Sequence, residues 1–253
     1  VEHPIDTKDD LAKLSLPDFT KQGRFQVYLE TISQLHANSE AAIGGYVTSP
    51  FTLAGLLLGA ENITARTITS PKLVHNTINF AQEISRKYAS LQQEAGADFI
   101  VLLEPTASLL SPELFGEFVT PYIDKIADTL SIPIVLHVCG NTEPLIQEFI
   151  KTKMKGFSLD YDVNLKKIMP KIPQEKLVMG NIDPVRTMLA IDPMQVYKKT
   201  LKLITALKDY ENYIPATGCD VPPEADFANI EAFQKAVNTA NKKYKKKKDK
   251  VNL

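Results

Sequence analysis

"IPIVLHVCGNT", residues 132–142, runs from an apolar, β-branched stretch through His137 and Cys139 into the turn residues Gly140 and Asn141. A continuous apolar run of this length, closed by turn residues, suits a strand buried on both faces, the kind found in parallel sheets. The chain has only two cysteines, and one of them stands here, two residues after a histidine. On an extended strand positions i and i+2 share a face, so His137 and Cys139 are spaced as two ligands of one tetrahedral metal could be. The bland alternative is a hydrogen-bonded histidine beside a small buried thiol.

Working outward, the same kind of run recurs: "AIGGYVTS" (42–49), "DFIVLLEP" (98–105), "GFSLDY" (156–161), "KLVMGNIDP" (176–184) and "NYIPATGCD" (212–220). Between the runs lie segments whose apolar positions repeat at three and four, at 72–95, 112–130, 143–153, 184–208 and 226–244. This alternation of strand and helix implies a parallel sheet or a (β/α) barrel. Six strands are visible where a closed barrel has eight. Residues 1–40 read as an irregular linker followed by the helix "FQVYLETISQLHAN", 41–241 as the barrel body, and 242–253 as a basic tail.

Apolar and charged fractions of 44% and 23% are those of an ordinary globular chain of 253 residues. The net charge of −1 conceals an asymmetry: the last thirteen residues hold seven lysines against Asp249, which leaves the remainder at −7. A lysine run of this kind reads as a solvated helix end, and no basic groove or stacking aromatics elsewhere support a nucleic-acid partner. Two cysteines make no disulfide framework and no secretory signal opens the chain, so a cytoplasmic setting is expected. The first residue is Val rather than Met, and we expect an N-terminal part beyond this sequence. The uncharged stretch 41–60 has the length of a membrane span. Gly44-Gly45 and Ser49-Pro50 divide it into a strand and a helix, so no membrane association is expected.

Polar and special residues gather at the C-terminal ends of the runs: Glu104, His137, Cys139, Asp160, Asp162, Asn181, Asp183, Cys219 and Asp220. In parallel α/β architectures that end carries the chemistry. His137, Cys139 and Cys219 lie far apart in sequence, and a His/Cys/Cys set with an oxygen or open fourth position is the pattern of a catalytic zinc. Asp160 ends an intervening strand and is a candidate fourth ligand. Asp183 reads equally as a substrate contact or a turn former before Pro184, and Glu104 as a mouth residue or the cap of the next helix. His3, His36 and His75 read as surface residues.

These stretches together resemble the uroporphyrinogen decarboxylase superfamily and, within it, the zinc-dependent, corrinoid-linked methyltransferases. The resemblance rests on "SPFTLAGLLLG" (49–59), "EAGADFIVLLEPTASLLSPELFGEFVTPY" (94–122), "HVCGNT" (137–142), "GFSLDYDVNLKK" (156–167), "MGNIDPV" (179–185) and "TGCDVPPEADFANIEAF" (217–233). The decarboxylase branch has a histidine where this chain has Cys219, so the methyltransferase branch is preferred. The resemblance implies a (β/α)8 TIM-type barrel that lacks part of its N-terminal region here. It implies His137, Cys139 and Cys219 as zinc ligands and catalytic residues, with Asp160 in place of the family's usual glutamate, and water or Asp162 as alternatives. Tyr46, Phe51, Glu104, Asn181 and Asp183 would contact substrate.

The implied reaction moves a methyl group from a methylcobamide, a corrinoid carried by a partner protein, to a small thiol such as coenzyme M. The chain would act as monomer or homodimer. The competing readings are a tetrapyrrole decarboxylase, methyl transfer to tetrahydrofolate, and a corrinoid- or tetrapyrrole-binding module without turnover.

Overall fold

The computed structural model describes residues 5–251, with side chains to 243. His3 and most of the basic tail lie outside the described side chains. Six strands form: β1 (Gly44–Thr48), β2 (Phe99–Leu103), β3 (Ile134–Val138), β4 (Gly156–Leu159), β5 (Leu177–Ile182) and β6 (Tyr213–Thr217). Each falls within one of the six apolar runs, and they are ordered β1-β2-β3-β4-β5-β6 in one sheet. An open doubly wound sheet reverses its strand order at a switch point. No reversal occurs among these strands, and the sheet is of the (β/α) barrel type.

The chain divides into two compact units. The first comprises residues up to Val138 together with Pro144–Gly156. In it β1, β2 and β3 are parallel, with Val47, Leu102 and Leu136 level with one another, then Thr48, Leu103 and His137. Val47, Ile100, Leu102, Ile134, Leu136 and Val138 are buried. The 24-residue helix Pro71–Glu94 buries Val74, Thr77, Ile78, Ala81, Gln82, Ser85, Ala89 and Gln92, a stripe at helical spacing. Gln92 Nε2 donates to the Tyr46 carbonyl and Ser85 Oγ to that of Thr48, which ties this helix to β1.

The second unit comprises Cys139–Glu143 and Phe157–Leu253. Here β5 and β6 are parallel, with Ile182 level with Thr217. Ile182, Met188, Val196 and Ala232 form a buried cluster against which Ile191, Tyr197, Leu203, Val221 and Phe233 pack. The helices Pro193–Ala206 and Phe227–Val251 bring these residues together.

The structure breaks several expected helices. The segment 112–130 forms two, Pro112–Phe118 and Thr120–Ala127. Pro121 has no N–H to continue a helix through Val119 and fits only a new first turn. The segment 184–208 likewise divides, because Asp192 caps the helix that opens at Pro193 by accepting from Gln195 N–H. The leading stretch is not wholly irregular: Lys8–Ala12 is helical behind a Thr7/Asp10 capping box. The helix expected over "FQVYLETISQLHAN" forms as Phe25–Asn38. The uncharged stretch 41–60 holds β1 and the helix Pro50–Leu58, and among the described residues no helix is long and apolar enough to cross a membrane.

Candidate metal centre

Burial along β3 is complete, and His137 near its end is 9% exposed. Its carbonyl accepts the Glu104 N–H at 2.8 Å, which fixes the backbone that carries the imidazole. Beyond Val138 the chain turns at Gly140, whose φ of 78° lies in the left-handed region that favours glycine. That turn leaves Cys139 between the end of the strand and the bend.

Cys219 follows β6 directly. Gly218 N–H donates to the Ile182 carbonyl at 2.8 Å, extending the β5–β6 pairing up to the cysteine. A Cβ at Gly218 would stand 2.3 Å from Tyr161 N and 3.0 Å from the Asp160 carbonyl carbon. Only glycine lets the backbone after β4 approach so closely, and the approach brings Asp160 beside the Cys219 segment.

Cys139 Sγ lies 3.8 Å from Cys219 Sγ. With one ring nitrogen of His137 these sulfurs form a group whose ligand atoms all lie within 4.8 Å of one another. A disulfide is about 2.05 Å long, so the pair is not bonded. Two sulfurs bound to one tetrahedral zinc at about 2.3 Å are separated by about 3.8 Å. The donor set therefore fits zinc in chemistry and in spacing. Burial, the field and hydrogen bond of Cys219, and the charges of Asp160 and Asp220 push the Cys139 thiol up to about 12. Without a cation beside it, the Cys139 sulfur is held as a thiol.

Asp160 is 5% exposed and is not one of the three clustered residues. One of its oxygens, Oδ1, accepts from Asp162 N–H at 3.1 Å, and its charge acts on the Cys139 thiol. Asp220, which adjoins Cys219 and was assigned no role from its place in the sequence, acts on the same thiol.

The five expected substrate contacts fare differently. Tyr46 is 60% exposed and projects from the sheet face that also carries Val101, Val135 and, one step on, His137. Phe51 is fully buried and presents no surface to a ligand. Glu104 is fully buried at the start of the helix Pro50–Leu58, where it accepts from Phe51 N–H at 3.2 Å and from the Thr52 hydroxyl. Its side chain does not cap the helix that follows it, Pro105–Leu109, as one sequence reading expected; it turns instead to the first turn of the earlier helix Pro50–Leu58. Burial, partly offset by these hydrogen bonds, raises its carboxyl to about 7.

Asn181 Nδ2 donates to the carbonyls of Asp160 at 2.9 Å and Val163 at 2.6 Å, so it clamps the loop after β4. Asp183 Oδ1 accepts from Val185 and Arg186 N–H at 2.9 and 2.7 Å, the turn-forming role of an Asp before Pro. His75 is half-buried, stacked on Phe118 at 4.4 Å with Nδ1 2.7 Å from the Tyr122 hydroxyl, where a surface position was expected. His36 is exposed, as expected.

A barrel-type parallel sheet with this donor set at its strand ends defines the class. The chain belongs to the family described as Uroporphyrinogen decarboxylase (URO-D), whose profile matches residues 1–240. Among its relatives is a methylated-thiol–coenzyme M methyltransferase of Methanosarcina mazei, 31% identical over 218 residues, covering 85% of this chain and 58% of the relative. The methylcobamide:CoM methyltransferase MtbA of Methanosarcina acetivorans is 29% identical over 252 residues, covering 97% and 71%. A uroporphyrinogen decarboxylase of Chlamydia caviae is 30% identical over 226 residues, covering 85% and 67%. The chain thus spans between about three-fifths and seven-tenths of the length of these relatives. A solved methyltransferase from Methanosarcina mazei shares the fold at a TM-score of 0.84 and 24% identity, over 96% of this chain and 72% of its own.

Proposed function

We propose that the chain transfers a methyl group from a methylated corrinoid, carried by a partner protein, to a small thiol such as coenzyme M, with zinc held by His137, Cys139 and Cys219. The observation that carries this reading is the 3.8 Å approach of the two sulfurs beside His137, a spacing suited to one tetrahedral ion. The names of two relatives, a methylated-thiol–coenzyme M and a methylcobamide:CoM methyltransferase, support the reaction class.

A free thiol ionises near pH 8.5 and is mostly protonated at neutral pH. Zinc at this position supplies the Lewis acidity that makes an incoming thiol ionise there. The protein's own part is to hold the donors. Cys139 and Cys219 contribute two sulfur ligands whose negative charge preserves the nucleophilicity of the substrate sulfur. His137 is the neutral third donor, and Asp160 or water completes the set. Tyr46, on the sheet face of His137, lines the substrate space. In the transfer the thiol proton leaves to water and the substrate sulfur forms the new S–C bond. The electron pair of the broken cobalt–carbon bond remains with the corrinoid.

The test is incubation of the zinc-loaded protein with methylcobalamin and 2-mercaptoethanesulfonate, with the thioether measured by mass spectrometry. Formation that depends on Cys139 is expected. Absence of thioether from the zinc-loaded wild type would overturn the reading.

A further inference from the structure

The surroundings of the thiol pair in the second unit are acidic. Asp160 and Asp220 act on Cys139, and the charges of Asp162, Asp160 and Asp183 act on Tyr161. A negatively charged substrate would meet repulsion from these carboxylates and from the two cysteine sulfurs once they ionise. One guanidinium stands among them. Arg186 Cζ is 5.9 Å from the centre of the Tyr161 ring, and its Nε is 3.7 Å from Asp183 Oδ2. That separation is too long for a hydrogen bond, and the side chain is 79% exposed, so the fork is open to another acceptor.

The two residues that flank this guanidinium also flank the metal ligand. Gly218 N–H donates to the carbonyl of Ile182, so Asp183 follows directly on the residue that is hydrogen-bonded to Gly218. Tyr161 N is the atom that a Cβ at Gly218 would strike. Arg186 thus stands beside two neighbours of the Gly218–Cys219 segment, Tyr161 and Asp183, on the helical turn Pro184–Leu189 that follows β5.

We propose that Arg186 receives the anionic end of the thiol substrate and makes the site selective for short thiols that carry a permanent negative group. The inference rests on the thiol-acceptor reading above. Arginine suits the task because its planar fork meets sulfonate or carboxylate oxygens with paired donors, a geometry that a lysine cannot reproduce.

The test is calorimetric titration of the zinc-loaded protein with 2-mercaptoethanesulfonate and, separately, with uncharged 2-mercaptoethanol. In the wild type the anionic thiol binds more tightly. In Arg186→Gln its affinity falls about tenfold or more while that of 2-mercaptoethanol stays as it was, and Arg186→Lys retains part of the preference. If both thiols bind and Arg186→Gln leaves their ratio unchanged, the inference is overturned and the thiol reading stands. If neither thiol binds the zinc-loaded wild type, both are overturned.

Discussion

The sulfurs of Cys139 and Cys219, eighty residues apart in sequence, meet at 3.8 Å. Cys139 stands just ahead of the Gly140 turn, and Cys219 follows Gly218, whose bare backbone admits the Asp160–Tyr161 segment. The consequence is a pair that either shares a metal or stands ready to be oxidised.

That alternative gives the first prediction. In metal-free protein treated with diamide, both thiols are expected to disappear together as an intrachain disulfide, and zinc added beforehand should protect them. Thiol counts on the denatured chain and the mobility of Cys139→Ser on non-reducing gels check it. Thiols that survive oxidation, or cross-links between chains instead, would contradict the proximity.

A second prediction concerns Glu104. Its carboxyl stays neutral in the folded protein up to about pH 7, whereas in the unfolded chain it ionises near 4.5. The folded value is the raised one, so its contribution to stability is fully present below pH 4.5 and is lost as the pH rises through 7. The loss is on the order of 3 kcal/mol. Glu104→Gln keeps the shape and removes the titration. Urea unfolding at pH 5 and pH 8 should show a smaller drop in the variant than in the wild type, and equal drops would show that Glu104 is not the source.

Asn181 supplies a third. Its amide satisfies two backbone carbonyls of the loop after β4. Asn181→Asp removes both donors and sets a carboxylate against those carbonyls, at a cost of roughly 2–4 kcal/mol. A fall in the urea midpoint of matching size is expected. Wild-type stability in this variant would return Asn181 to the list of substrate contacts.

Strands, and the end of them that carries the polar residues, were legible because buried parallel strands are written as unbroken apolar runs. "DFIVLLEP" and "IPIVLHVC" became β2 and β3 without adjustment. The cysteine pair was legible for a related reason: residues at the same end of parallel strands are brought together by the sheet. What the sequence hid depends on local backbone detail. Pro121 and Asp192 each divided a helical period that ran through them. Glu104, Asn181 and Asp183 stood where substrate contacts were expected, yet their side chains turn to backbone N–H and carbonyl groups, which is the usual fate of short polar residues at strand ends. Phe51 was read as pocket lining, but its place in the first turn of the helix Pro50–Leu58 directs it into the core.

The most direct measurement is zinc content per chain, by plasma emission spectroscopy, on the wild type and on Cys219→Ala purified without added metal. About one zinc per wild-type chain, lost or much reduced in the variant, is the result this account predicts. Wild-type protein that stays metal-free even after zinc is offered would contradict it.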